Sequence, residues 1–175
     1  MRAVSTRRLI LLLLAVAAAS GGAGASGLLG GDAADEPAGG RGELGRVVKV
    51  VDGDTIHVQL GSVREKVRYI GVDTPETKDP RRPVQCFGQK ASDFNERLVG
   101  GQLVRLVPDV EERDRYGRLL AYVYRARDGL FVNAELARLG YAQPLSIAPD
   151  VRFAQRFTEL AREAREAGRG LWAAC

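Results

Sequence analysis

Three strand-like stretches, a helix, two further strands and two further helices, in that order, predict an α+β domain. The architecture expected is a small five-stranded barrel with three helices (β-β-β-α-β-β-α-α). Three observations predict it. β-branched and alternating runs early in the domain are separated by short Gly-containing turns. Apolar residues recur at spacings of three and four in the middle and towards the end. Strands do not alternate one by one with helices, as a parallel sheet would need.

Val47, Val48, Val50 and Val51 form a β-branched run that ends at the turn signal Asp52-Gly53. Residues 54–60 alternate, with Ile56, Val58 and Leu60 on one face and Thr55, His57 and Gln59 on the other. Gly61-Ser62 is a turn, and residues 66–72 read as the returning strand. A hairpin folded about position 61 sets Arg68 opposite Asp54. Phe87, Ala91, Phe94 and Leu98 predict an amphipathic helix ending at Gly100-Gly101. Residues 102–108 and 118–125 are two more strands, joined by a charged loop over 109–117. Val132, Leu136 and Leu139 make a short helical stripe closed by Gly140. Phe153, Phe157, Leu160 and Ala164 make a longer one, with Asp150 as the expected N-cap and Gly168 just past its end. A meander, a helix and two more strands suit a barrel of the OB-fold type.

Ahead of this domain, Arg7-Arg8 precedes an apolar run over residues 9–19. A membrane-spanning helix needs about 20 apolar residues, so the run is too short to cross a bilayer. Basic start, short apolar stretch and small residues make an export signal, with Ala23-Gly24-Ala25 as the expected cleavage site and Ala17-Ala18-Ala19 as the alternative. Residues 1–25 are therefore read as a signal peptide, taking the general secretory route in preference to twin-arginine export. The expected destination is secreted. Residues 26–45 hold almost no large apolar side chain and are read as a flexible linker. Residues 46–175 are the folded domain. Composition is 45% hydrophobic and 27% charged, which fits a globular protein. The formal charge of +4 shrinks once the leader's Arg2, Arg7 and Arg8 are set aside, leaving 23 basic residues against 22 acidic. Any affinity for polyanions must then come from local clustering. With 1 His and 2 Cys, structural zinc and haem attachment are excluded.

Four carboxylates and two arginines stand out by position. Asp52 and Asp54 flank Gly53, Asp73 and Glu76 flank Thr74-Pro75, Arg68 lies between the pairs, and Arg118 opens a later strand. Singly each has a plain structural explanation: an Asp-Gly turn, a helical-turn start, a loop corner, an Arg paired for packing. Together they converge through the hairpin. Hard oxygen ligands without His or Cys suit Ca²⁺, or Mg²⁺ less comfortably. Two guanidinium forks beside such an ion would clamp a phosphate, and Glu76 is a spare carboxylate to orient or deprotonate water.

Residues 50–55 (Val-Val-Asp-Gly-Asp-Thr), 67–77 (Val-Arg-Tyr-Ile-Gly-Val-Asp-Thr-Pro-Glu-Thr) and 114–122 (Asp-Arg-Tyr-Gly-Arg-Leu-Leu-Ala-Tyr) closely resemble motifs of the staphylococcal nuclease (thermonuclease) family, in order and spacing. Gly170-Leu171-Trp172 resembles that family's C-terminal signature, so the resemblance covers the whole domain. It implies a Ca²⁺-dependent phosphodiesterase acting on DNA and RNA, which cuts the 5′-side P–O bond and leaves 3′-phosphate ends. Carried over by motif, Asp54 and Asp73 are carboxylate ligands of Ca²⁺ and Thr74 adds its backbone carbonyl, with Asp52 in support. Glu76 is the general base or water-orienting group, and Arg68 and Arg118 bind the scissile phosphate and stabilise the transition state. Tyr116 seats the terminal phosphate, with Arg115 beside it. The family's namesake has two tyrosines flanking the nucleotide, where this chain has Ser146 and Ala148; Tyr141 comes too early. Their loss weakens stacking, worth roughly 1–3 kcal/mol per base.

His57 is read as an ordinary surface residue, which leaves no Ser-His-Asp arrangement. Cys86 and Cys175 are expected to pair, since two cysteines in an exported protein usually do, against the alternative of two free thiols. The proline-stiffened basic loop over residues 79–83 is either plain surface or a phosphate contact. A non-catalytic module of the same fold that binds nucleic acid or protein is the main alternative, and a two-carboxylate glycosidase a remote one. No stable protein partner and no span in the mature form are expected, and a monomer is the default.

Overall fold

The computed structural model describes residues 42–77 and 83–175. The signal peptide, most of the linker and residues 79–82 of the basic loop lie outside the described residues. In chain order the elements are β1 (Glu43–Val50), β2 (Thr55–Leu60), β3 (Val63–Tyr69), β4 (Val72–Asp73) and α1 (Gly88–Val99). They continue with β5 (Leu103–Val107), β6 (Leu119–Arg125), α2 (Val132–Arg138), β7 (Gln143–Pro144), α3 (Ala154–Glu166) and α4 (Leu171–Ala174). Five strands close a barrel in the order β1-β2-β3-β6-β5, and β4 pairs with β7 in a separate two-stranded sheet. The expected five-stranded barrel with three main helices is observed. The pair β3–β6 is parallel and the rest of the barrel is antiparallel.

Alternation builds the core. Val47, Val58, Val67, Tyr69 and Val104 are buried in alternation with more exposed neighbours, while β6 is buried on both faces from Ala121 to Tyr124. Each large aliphatic side chain so buried contributes roughly 1.5–3 kcal/mol. Helices α2 and α3 add aromatic packing at one end. Tyr122 meets Phe153 edge-on at 4.7 Å between ring centroids, and Phe131 stacks on Tyr124 at 4.5 Å. Phe94 of α1 stacks on Tyr141, just after α2, at 4.0 Å. Cys86 and Cys175 form a disulfide, Cα–Cα 6.0 Å, across a sequence separation of 89.

The structure departs from the sequence expectations in four places. Strand β1 begins at Glu43, inside the stretch read as linker, because Glu43, Leu44 and Gly45 pair through their backbones with Leu106, Arg105 and Val104. Apolar content does not report such pairing, and Gly45 is there because a Cβ would overlap Val58 and Leu60. The hairpin register differs by one: Leu60 pairs with Val63 around a two-residue turn, which sets Arg68 opposite Thr55 and not Asp54. The returning strand breaks after Tyr69 and resumes as β4. At the break Gly71 has φ +80, and a Cβ there would overlap the Phe157 ring. Asp150 does not cap α3. Its carboxylate accepts the backbone N–H groups of Val110 and Glu111, both at 2.9 Å, and so ties the 109–117 loop to the chain entering α3.

Candidate active site

The loop between β1 and β2 brings the first acidic pair inward. Asp52 Oδ1 accepts the Asp54 backbone N–H at 3.1 Å, a local turn that Gly53 completes. A Cβ on Gly53 would press on the Thr74 side chain, so the glycine permits the loop to touch the residues after β4. Asn95, fully buried on α1, donates to the Asp52 carbonyl at 3.0 Å and accepts from the Tyr69 hydroxyl at 3.0 Å. This residue was not among the expected site residues. Its signal was a polar side chain four positions after Ala91, on the apolar stripe of the helix.

Asp54 is buried and its oxygens are shared among four donors. Oδ2 accepts from the Thr74 N–H (2.7 Å) and hydroxyl (2.8 Å). Oδ1 accepts from the Thr55 hydroxyl at 3.1 Å and pairs with Arg68 Nη1 at 3.0 Å. Arg68 in turn donates Nη1 to the Val72 carbonyl at 2.8 Å and Nη2 to Asp73 Oδ1 at 2.7 Å. The guanidinium therefore stands between the two aspartates. Removing one partner of such a buried pair costs about 3–5 kcal/mol, because the other charge is stranded.

Negative charge is crowded here. Burial first, and then the neighbouring Asp54 carboxylate, push Asp52 up to about 6. Burial also lifts Asp73 above the usual carboxylate range, against the pull of Arg68. Such crowding favours a cation. Yet among the described residues no three His, Cys, Asp or Glu side chains gather as a ready-made metal cluster.

Glu76 follows Pro75. Its backbone N–H donates to Gln85 Oε1 at 2.8 Å, its carbonyl accepts the Gln85 N–H at 3.0 Å, and its Oε1 accepts the Thr77 N–H at 2.7 Å. Gln85, immediately before the disulfide residue Cys86, thus holds the Glu76 backbone from both sides.

Arg118 is delivered by the loop before β6. Asp114 organises that loop: Oδ1 accepts the N–H groups of Tyr116 (2.9 Å) and Arg118 (3.0 Å), and Oδ2 takes Arg118 Nε at 2.6 Å. Burial acts against the charged Asp114 carboxylate, but the Arg118 and Tyr116 hydrogen bonds outweigh it and hold the group below its ordinary value. Arg115 donates to the Tyr116 hydroxyl at 2.7 Å, and the Arg115 and Arg118 guanidiniums lie 4.8 and 5.5 Å from the Tyr116 ring centroid. Neither Asp114 nor Gln85 was expected to matter from sequence. For Asp114, the spacing of four residues before Arg118 was the available cue.

A cavity of about 230 Å³ is lined by Asp54, Asp73, Thr74, Glu76, Arg68 and Arg118 together. A second, of about 480 Å³, is lined by Arg68, Arg118, Arg115, Tyr116, Leu145 and Ile147. The expected metal, catalytic and substrate positions are thereby brought to two adjoining spaces that share both arginines. Leu145 and Ile147 line the larger space, and Ser146 and Ala148 are not among its lining residues. Leu145 N–H donates to the Gly71 carbonyl and Ile147 bridges to Asp150, and these backbone contacts hold the segment against the larger space. Cys86 and Cys175 lie outside both cavities, in the disulfide.

Residues 66–174 match the family model described as staphylococcal nuclease homologue. The chain is 40% identical over 127 residues to a thermonuclease of Staphylococcus hyicus, covering 73% of this chain and 74% of that one. It is 41% identical over 132 residues to a thermonuclease of Staphylococcus intermedius, covering 75% and 77%. It is 39% identical over 126 residues to the endonuclease YncB of Bacillus subtilis, covering 71% of this chain and 59% of that protein.

Proposed function

The chain belongs to the staphylococcal nuclease family, and from that premise we propose an exported, Ca²⁺-dependent nuclease that hydrolyses phosphodiester bonds of DNA and RNA and leaves 3′-phosphate ends. The observation that carries the reading is the 230 Å³ cavity, in which two guanidiniums face two aspartates, Thr74 and Glu76. The donor set fits a hard divalent ion: Asp54, Asp73 and the Thr74 carbonyl are all oxygen, and burial first, with neighbouring carboxylates, lifts Asp52 and Asp73. Bound there, Ca²⁺ would supply Lewis-acid polarisation of the phosphodiester.

The rest is the work of side chains. Arg68 and Arg118 bind the non-bridging phosphate oxygens and offset the charge that grows on them in the transition state. Glu76 orients a water in line with the P–O5′ bond and takes its proton as the O–P bond forms. The 5′ oxygen departs and gains a proton, which leaves a 3′-phosphate and a 5′-hydroxyl. Asp114 holds Arg118 by Nε, and Gln85 holds the Glu76 backbone, so both groups meet substrate already oriented. Tyr116 and Arg115, which line the larger space, receive a terminal phosphate in this reading. Export rests on the leader of residues 1–25; among the described residues no helix is long and apolar enough to cross a membrane.

The test is degradation of single-stranded DNA and RNA by the exported chain with millimolar Ca²⁺ or with chelator, with the product ends determined. Chelator should abolish cleavage, and Glu76→Gln should lower kcat by roughly 10²–10⁴-fold. Cleavage that ignores chelator, or survives both Glu76→Gln and Arg118→Ala, would defeat the assignment.

A further inference from the structure

Outside the leader the chain is nearly neutral, yet one face of the barrel is strongly basic. Strand β3 alternates, so Arg64, Lys66 and Arg68 project to its outer side while Val67 and Tyr69 are buried. Across the hairpin, Gln59 lies opposite Arg64 and His57 opposite Lys66, while the buried Thr55 lies opposite Arg68. Strand β1 then sets Arg46 beside Gln59 and Lys49 beside His57, the bulge between Val47 and Lys49 turning Lys49 to this side. None of these outward positions holds a carboxylate. Glu65 alternates to the other side, where Arg113 holds it at 2.8 Å.

Among the described residues Lys49, Arg64 and Lys66 form no ion pair. All three are exposed. Their fields overlap at His57, whose pKa lies below its ordinary value through burial and then through Arg64, Lys66 and Lys49. The imidazole is a hydrogen-bonding group set among cations. The row ends at Arg68, which lines the 230 Å³ cavity. From Arg64 to Arg68 is roughly 13 Å at about 3.3 Å per residue, and successive outward side chains are about 6.6 Å apart.

We propose that this face is a track for the phosphodiester backbone of a single-stranded nucleic acid, leading away from Arg68, with Lys66, Arg64 and Lys49 each neutralising a phosphate of the nucleotides that flank the cleaved bond. The track rests on the nuclease reading for its purpose, but binding along it needs no hydrolysis. Charge complementarity selects a polyanion. The spacing of one side chain per two strand residues is of the order of one nucleotide. A flexible single strand can follow the twist of β3. Cations tracking the backbone are the usual basis of sequence-tolerant grip on single strands.

The test is the variant Lys49→Ala/Arg64→Ala/Lys66→Ala of the exported chain, compared with its parent. Binding of a long labelled oligothymidylate is measured in chelator over a range of salt concentrations. Cleavage of the same oligonucleotide and of a dinucleotide is measured with Ca²⁺. Losing three phosphate contacts should make the slope of log K against log salt shallower by about 2, at about 0.7 per phosphate, and weaken low-salt binding roughly 10-fold or more. KM for the oligonucleotide should rise by the same factor while kinetics on the dinucleotide stay unchanged. An unchanged slope and affinity would overturn the track. So would equal losses on both substrates, or weakened binding to phosphatidylglycerol vesicles with oligonucleotide binding intact. A parent that binds with the expected salt slope yet cleaves neither substrate leaves the track standing and defeats the nuclease reading instead.

Discussion

Around Asp54 both carboxylate oxygens are engaged, by the Thr74 amide and hydroxyl, the Thr55 hydroxyl and Arg68. The adjoining space beyond Arg68 and Arg118 is walled by Leu145, 37% exposed, Ile147, 62% exposed, and Tyr116, 69% exposed. One region is buried, polar and fixed by hydrogen bonds from three separate stretches of chain. The other is open and sets exposed aliphatic and aromatic side chains beside charged ones. The difference reflects what each has to do. Phosphoryl chemistry depends on donors held within a fraction of an ångström of where charge develops. Gripping a nucleotide needs only contact area, which many side chains supply. The small cavity should therefore be intolerant of substitution, and the large one adjustable.

The largest effect expected is from Asp54→Ala, which removes the proposed oxygen ligand, leaves the half-buried Arg68 with Asp73 as its one remaining carboxylate and releases Thr74. Stability should fall by about 3–5 kcal/mol in denaturant titration. Activity should fall below detection even at temperatures where the variant remains folded; a variant with more than a tenth of parental kcat would break the contrast. Next is Asp114→Ala, which frees the Arg118 guanidinium without touching substrate. A kcat loss of roughly 10²-fold with little change in KM is expected from misplacement of that size, and addition of guanidinium ion should not restore it, since Arg118 is still present. A loss confined to KM would move Arg118 from chemistry to grip.

In the open region the expected direction reverses. Leu145→Tyr supplies an aromatic face to the larger space and should lower KM for an oligonucleotide by roughly 5- to 100-fold with kcat unchanged, as base stacking is worth about 1–3 kcal/mol. A rise in KM would show that the aliphatic wall is already matched to its ligand. The smallest effect belongs to Ser146→Tyr. Ser146 is exposed and does not line the space, so KM should move by less than about 2-fold, in keeping with the ±0.5 kcal/mol typical of surface changes. Equal gains from both tyrosines would erase the one-residue distinction between them.

Much of this was legible in the residue order. The alternation of Ile56, Val58 and Leu60 and the spacing of Phe87, Ala91, Phe94 and Leu98 report burial directly, because a side chain's face follows from its position in a strand or helix. The barrel and its main helices came from such patterns. The start of β1 did not, since Glu43, Leu44 and Gly45 are held by backbone pairing that composition does not record. Nor did the roles of Asn95, Gln85 and Asp114. Each acts on a residue that the motifs do mark, and a polar residue's partner is set by distance in space.

Sequence alone determined which chemistry is available: carboxylates, two guanidiniums and a backbone carbonyl in motifs short enough to stay local, with no soft ligand to compete. Tertiary structure decided how those groups meet. A two-residue turn set the hairpin register, and Gly71 let the chain after β3 pass close against the Phe157 ring. Backbone contacts to Gly71 and Asp150 placed Leu145 and Ile147, not their neighbours, against the arginines. A strand's period of two makes a shift of one residue enough to exchange its faces, and such a shift leaves no trace in composition or motif.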